Sequence, residues 1–433
     1  SVLIGSEAGT NQTGGVNTFI GYKAGRNNRT GNYNTTVGYE AGMHATGSSN
    51  SFVGYQAGKG GTTSAPYSSG GNNTALGYGA LTAFTTAVDN VAVGYNALGD
   101  TSTGTGNIAI GRDAGADITT GAYGIYIGHN AGGDNLLGNM NVFVGFEAGR
   151  AAADSVAYSV AIGAYAGRAT EVNTNLAIGY SAMKVHTTGA RNIAIGYGAM
   201  DDTDAGSNSL NSSDNIFIGN GAGGGTWTDV LSQYNIGIGS SVLDAALDGA
   251  DYNIMIGYSA GTSVTTAEKS IGIGGSALYS ATTSTLNTAV GFEAGVSLTT
   301  GAGQNVFLGY QAGRQATTTT YSVFIGAFAG YNQSIASNGN VHIGWASGQY
   351  ASGSNNTFVG QEAGQGGTTS APFSSGTGNT AIGKAALDKF TTGDNNVAVG
   401  INALGALTTA NNNIGIGQGA GDAVTTGAAN ILI

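Results

Sequence analysis

The chain has 433 residues, of which 79 are glycine and only 9 % are charged. A net charge of −11, with only 13 lysines and arginines, excludes the basic surface that nucleic-acid binding requires. The absence of cysteine excludes disulfides, thiolate metal ligands and a thiol nucleophile. The sequence has no run of about 18 apolar residues, so we expect no direct membrane insertion.

One motif recurs from the first residues to the last. It reads NTFIGYKAG from Asn17, NTTVGYEAG from Asn34 and NVAVGYNAL from Asn90. We count 24 copies, each built around an anchor glycine that follows Ile, Val or Leu. Alanine stands three residues after the anchor in 22 copies, asparagine stands four residues before it in 19, and the commonest spacing is 17. Repeats of this length are typical of solenoids.

Each copy predicts one short strand followed by a corner. In Asn90–Gly94, Val91 and Val93 point to one side of a strand and Ala92 points to the other. The anchor glycine permits a backbone conformation or a close approach that other residues do not allow. Asparagines at the same corner of successive coils are expected to form a hydrogen-bonded ladder. Because both sides of the strand are apolar, we expect one side inside the coil and the other against a neighbouring rod.

The sequence therefore predicts an all-β fold, a β-solenoid (β-roll) of about 24 coils with a modal period of 17 residues. Residues 1–433 are expected to form a single continuous repeat region, which is a segment of a longer fibre. Four loops are enlarged relative to the ordinary turn, at 59–72, 201–214, 224–234 and 365–378.

Insertions in repeat proteins are frequent binding sites, so the enlarged loops supply most of the candidate recognition residues. GGTTSAPYSSG at 60–70 returns as GGTTSAPFSSG at 366–376. The candidates for surface recognition are Pro66, Tyr67, Trp227, Trp345, Pro372 and Phe373.

Aromatic residues often follow the anchor directly, and stacked coils would align them along one edge. A protective stack is the favoured interpretation, and a sugar-binding stripe is the alternative. The aligned residues are Tyr22, Tyr39, Tyr55, Tyr78, Tyr95, Tyr180, Tyr197, Tyr258, Tyr310 and Trp345.

No motif predicts catalysis, a cofactor or a metal site. A G-x-G-x-x-G match at 219–224 falls on a repeat anchor and has no helical pattern after it. The four histidines fall in different coils, and His342 is expected to pack in the middle of a strand. Asp201, Asp202, Asp204 and Asp214 indicate a solvated acidic loop, with a cation site as the alternative. We therefore expect that the protein is not an enzyme.

The pattern N-x-[VA]-[AF]-[IV]-G-x-x-[AS] resembles the head repeat of trimeric autotransporter adhesins of the YadA type. The fuller pattern, as in GNTAIGKAAL, is similar to repeats of bacterial and phage tail-fibre proteins. The resemblance implies a parallel homotrimeric fibre on a virion or outside the cell. It differs in period, because the YadA-type repeat is about 14 residues long.

We expect a structural and adhesive fibre shaft, such as a phage tail fibre or a bacterial surface adhesin, which attaches to a host-surface glycan or another receptor. The alternative is an extracellular filament, matrix or surface-layer protein built by head-to-tail stacking of solenoids.

Overall fold

The computed structural model describes residues 1–62, 67–135, 137–152, 156–169, 173–186, 188–203, 211–227, 230–301, 303–333, 337–369 and 373–433. These residues contain strands, turns and bends, and no helix. The chain divides into two compact units, Ser1–Asp214 and Asn215–Ile433. The predicted all-β solenoid of about 24 coils, with a period near 17 residues, is confirmed. Continuity of the coils across the two units stays a prediction.

The first unit has twelve strands among its described residues. They are β1 (Val2–Ile4), β2 (Thr18–Ile20), β3 (Thr35–Val37), β4 (Ser51–Val53), β5 (Thr74–Leu76), β6 (Val91–Val93), β7 (Ile108–Ile110), β8 (Ile125–Ile127), β9 (Val142–Val144), β10 (Val160–Ile162), β11 (Leu176–Ile178) and β12 (Ile193–Ile195).

The second unit has thirteen strands among its described residues. They are β13 (Ile216–Ile218), β14 (Ile236–Ile238), β15 (Ile254–Ile256), β16 (Ile271–Ile273), β17 (Thr288–Val290), β18 (Val306–Leu308), β19 (Val323–Ile325), β20 (Val341–Ile343), β21 (Thr357–Val359), β22 (Thr380–Ile382), β23 (Val397–Val399), β24 (Ile414–Ile416) and β25 (Ile431–Leu432).

Within each unit every strand pairs in parallel with the next strand along the chain, in direct register. Between β6 and β7, for example, the middle residue Ala92 lies opposite Ala109. The same register places equivalent residues of all coils in columns. A column is therefore a physical row of side chains about 4.8 Å apart.

The anchor glycines end the strands, and their backbone leaves no room for another residue. All 24 have φ between +126° and +144°, a region that only glycine adopts without strain. A Cβ atom on Gly94 would also lie 2.3 Å from the carbonyl oxygen of Gly111 in the next coil. Both conditions recur in each unit, so glycine is required twice over at this corner.

Two positions of each coil share the interior and are complementary in size. The middle strand residue is buried in β2 to β24, and the residue four after the anchor packs against it. Where Phe52 fills the interior, a Cβ on Gly58 would lie 2.4 Å from its ring. Where the middle residue is Ala92, Leu98 supplies the missing volume and both are fully buried. In all eight coils with leucine or methionine four residues after the anchor, the middle strand residue is alanine or glycine.

The predicted asparagine ladder is confirmed. The backbone N–H of Asn34 donates to Oδ1 of Asn17 over 2.8 Å, and Nδ2 of Asn34 donates to the Gly47 carbonyl over 2.9 Å. The asparagine side chain therefore joins its coil to the next, which satisfies buried backbone groups that the strands leave unpaired. Serine replaces it at Ser270, whose Oγ accepts the backbone N–H of Asn287 over 3.2 Å.

Candidate functional surfaces

Each unit presents an apolar face made by the first and third residues of its strands, which we call the outer strand face. The third residue is Ile, Val or Leu in all 24 full-length strands, and the first is Val, Ile, Leu, Thr or Ser. These side chains are half-buried or exposed, for example 48 % for Leu76 and 41 % for Ile110. Monomeric proteins rarely leave such a surface uncovered over more than a few hundred Å².

Charged side chains lie elsewhere on the coil. In several ion pairs, an acidic residue two positions after an anchor meets a basic residue five positions after the next anchor. Glu40 lies 2.9 Å from Nζ of Lys59, and Glu293 lies 2.6 Å from Nε of Arg314. The Arg314 guanidinium is the largest influence on the pKa of Glu293 and holds it below its ordinary value. Such half-exposed pairs contribute less than about 1 kcal/mol each, so their main effect is on where charge is placed.

A row of five stacked rings runs along the first unit, and we call Tyr22, Tyr39, Tyr55, Tyr78 and Tyr95 the tyrosine row. Successive ring centroids lie 5.1, 5.0, 4.8 and 5.1 Å apart, and the ring planes differ by 4° to 27°. The predicted alignment is confirmed for these residues. Each inner ring has both faces covered, so the row presents ring edges and hydroxyls to solvent. This geometry favours the protective stack over a platform for sugar rings, which needs open faces.

The candidate recognition residues fall into three groups. Pro66 and Pro372 lie outside the described residues. Tyr67 and Phe373 are half-buried and pack on equivalent aromatic residues of another coil. The ring of Tyr67 lies 5.8 Å from that of His44, and Phe373 lies 6.4 Å from Tyr350. Trp345 follows an anchor glycine and is 48 % exposed. Surface recognition by Tyr67, Trp345 and Phe373 stays a prediction.

The expectation that Trp227 belongs to a recognition surface is wrong. Trp227 is fully buried, and its ring meets that of Phe217 edge-on at 5.9 Å. Trp227 follows its anchor Gly219 by eight residues, and the aromatic residue seven after an anchor is also fully buried at Phe84 and Phe390. Buried apolar residues at that point of other coils are the sequence signal for an inward-facing tryptophan.

The buried histidines have structural surroundings. His342 lies between Phe324 and Phe358 with ring centroids 4.9 Å from each, and neither ring nitrogen has a hydrogen-bond partner. Burial lowers the pKa of His342 to about 3. His186 bonds to Thr203 Oγ1 and to the Gly189 carbonyl, both over 2.8 Å, and burial lowers its pKa to about 4. The prediction that His342 packs in mid-strand is confirmed.

Acidic side chains gather in one surface groove of about 190 Å³ in the first unit, lined by Asp113, Asp117, Asp134 and Arg150. Burial, followed by the neighbouring carboxylate of Asp134, raises the pKa of Asp117.

In the predicted acidic loop, Asp204 lies outside the described residues. Asp214 forms an ion pair with Arg191 over 2.7 Å, and that pair lowers the pKa of Asp214. Burial, and next the carboxylate of Asp202, raises the pKa of Asp201.

Across the described ranges, no group of three or more histidine, aspartate or glutamate side chains is arranged to hold a metal ion. The same residues include no helix long and apolar enough to cross a bilayer. In comparisons with known proteins, neither a protein-family model nor a curated protein matches this chain. The likeness to adhesin and tail-fibre repeats therefore stays a prediction.

Proposed function

We propose that the protein is a structural fibre shaft in which three parallel copies pack through their outer strand faces. The observation that carries the proposal is the outer strand face itself, which is uncharged, apolar and uncovered within one chain. A parallel arrangement brings each coil opposite the same coil of the other copies, so that columns of Ile and Val meet like columns.

The size of the face supports association between copies. Two half-exposed aliphatic side chains leave roughly 100 Å² of apolar surface on a strand, so the eight strands of the first unit that have both, β1 and β6 to β12, leave about 800 Å². A stable interface buries about 800 Å² per partner. At ~25 cal/mol per Å², burial contributes about 2.5 kcal/mol for each such coil before the entropy of association is subtracted.

The structural role is mechanical rather than catalytic. Regular coils joined by paired strands and side-chain ladders supply stiffness, and the enlarged loops supply places where a receptor such as a surface glycan attaches. By its resemblance to adhesin and tail-fibre repeats, the shaft belongs on a virion or a cell surface.

Light scattering on matched variants tests the interface. Ile110→Lys in β7 places a charge on the outer strand face, and we expect this trimer to dissociate into monomers on dilution at a protein concentration at which the wild type is still a trimer. Met140→Lys is the control, because Met140 is 48 % exposed but lies just before a corner, off the outer strand face. Equal masses for the wild type and both variants would contradict the proposed interface.

A further inference from the structure

The tyrosine row holds phenol rings one coil spacing apart and nearly parallel. Tyr39 and Tyr55 lie 5.0 Å apart with a 4° difference between ring planes, and Tyr55 and Tyr78 lie 4.8 Å apart with a 7° difference. The three side chains are 43 %, 41 % and 51 % exposed. Each ring edge is therefore open to a small oxidant while the ring faces its neighbour.

The two ends of the row differ electrically from its middle. Lys23 Nζ lies 4.8 Å from the Tyr22 ring centroid, and the guanidinium of Arg112 lies 5.6 Å from that of Tyr95. A cation over a ring face draws on its electron density and opposes loss of an electron from that ring. The inner rings have electron-rich neighbours on both sides instead. An electron is therefore lost most readily from Tyr39, Tyr55 or Tyr78.

We infer that the tyrosine row is an oxidative cross-linking site, at which hydrogen peroxide and a haem peroxidase join neighbouring coils through dityrosine. Each of two adjacent tyrosines gives up one electron and its phenolic proton. The two phenoxyl radicals form a carbon–carbon bond between their ortho positions, and the hydrogen on each of these carbons then moves to the phenolic oxygen. The O–O bond of the peroxide breaks, and the two electrons and two protons convert it into two molecules of water.

The bond would tie one coil covalently to the next. Tyr39 and Tyr55 are 16 positions apart in sequence but occupy equivalent positions of neighbouring coils. Coupling needs rotation of two half-exposed side chains and no change of the strands, because the Cα atoms already stand one coil apart. The cross-link closes a chain loop and so restricts the unfolded state. This inference concerns a single chain and does not depend on the proposed trimer.

Peptide mapping after oxidation tests the site. The intact protein is treated with hydrogen peroxide and horseradish peroxidase, unfolded and digested with trypsin. Residues 30–59 form one tryptic peptide that holds Tyr33, Tyr39 and Tyr55. We expect this peptide to become lighter by two hydrogens, with fragmentation placing the bond between Tyr39 and Tyr55. A second product joins it to peptide 60–112 through Tyr55 and Tyr78.

Two variants make the outcome specific. Tyr55→Phe keeps a stacked ring, as Phe146 does at the equivalent position, and should abolish both products that contain residue 55. Tyr33→Phe is the control, because Tyr33 is 68 % exposed but stands outside the row, and both products should persist. Absence of coupling, coupling only between separate chains, or equal coupling at Tyr33 would overturn the inference.

Discussion

Replacing His342 with phenylalanine should stabilise the protein and remove an acid-sensitive step. The imidazole is fully buried between Phe324 and Phe358, with both ring nitrogens unpaired. An unpaired buried donor or acceptor costs about 1–3 kcal/mol. Phenylalanine already occupies the same column in the coils before and after, where the residue four after the anchor is also glycine. We therefore expect His342→Phe to raise the free energy of unfolding at pH 7 by about 2 kcal/mol.

The gain should grow in acid. Burial lowers the pKa of His342 from the ordinary 6.5 to about 3, so below pH 6.5 the unfolded chain binds more protons than the folded chain. The wild type consequently loses stability as the pH falls from 6.5 towards 3. At pH 4 the difference of 2.5 pH units from the unfolded pKa corresponds to about 3 kcal/mol, which the variant does not lose.

Urea unfolding at pH 7 and pH 4, at one protein concentration, measures both effects. His342→Leu is the matched control, because it removes the titrating imidazole without putting an aromatic ring in its place. Both variants should lose the same part of the acid dependence, and only His342→Phe should keep the aromatic stack. A wild-type acid dependence that persists in His342→Phe, together with no gain at pH 7, would refute the reasoning.

Three further substitutions test the coil, each by urea unfolding. Gly94→Ala should lower the free energy of unfolding by about 4 kcal/mol because its Cβ meets a backbone oxygen. Gly301→Ala is the control, because Gly301 has a positive φ but open space around it, and its loss should be about 1 kcal/mol. Equal losses would contradict the close approach. Asn90→Ala should lower the free energy of unfolding by about 3 kcal/mol because it leaves two backbone groups unpaired, and Asn90→Ser should recover part of that loss. A loss below about 0.5 kcal/mol, as for a surface substitution, would contradict a stabilising role of the asparagine ladder. Ala92→Phe should lower the free energy of unfolding by about 2 kcal/mol through overpacking, and adding Leu98→Gly should restore most of that loss. Additive losses would show that the two side chains do not share one space.

Much of the coil follows from the repeat alone. A branched residue, a small or aromatic residue, a second branched residue and a glycine specify a strand with two apolar sides and a sharp end. The asparagine ladder follows because residues one period apart must meet in a stack of coils. The repeat predicts that His342 lies in the interior for the same reason, since its position in the repeat is that of Ala92.

The rest depends on packing volume and ring orientation, which the motif does not contain. The sequence shows that a small residue at the position of Ala92 goes with a large one at the position of Leu98. The reason is clear only once both side chains are known to enter one interior. Burial of Trp227 depends on its packing against the Phe217 ring inside the coil, which the motif does not specify. For the tyrosine row, the period predicts alignment, whereas only the ring planes show that faces are covered and edges are open.

Sedimentation equilibrium of the wild-type chain tests the central claim most directly. Packing of three outer strand faces predicts a species of three 42.6 kDa chains, about 128 kDa, over the micromolar range. A single species of 42.6 kDa throughout that range would show that the outer strand face stays in water, and would contradict the proposed trimer.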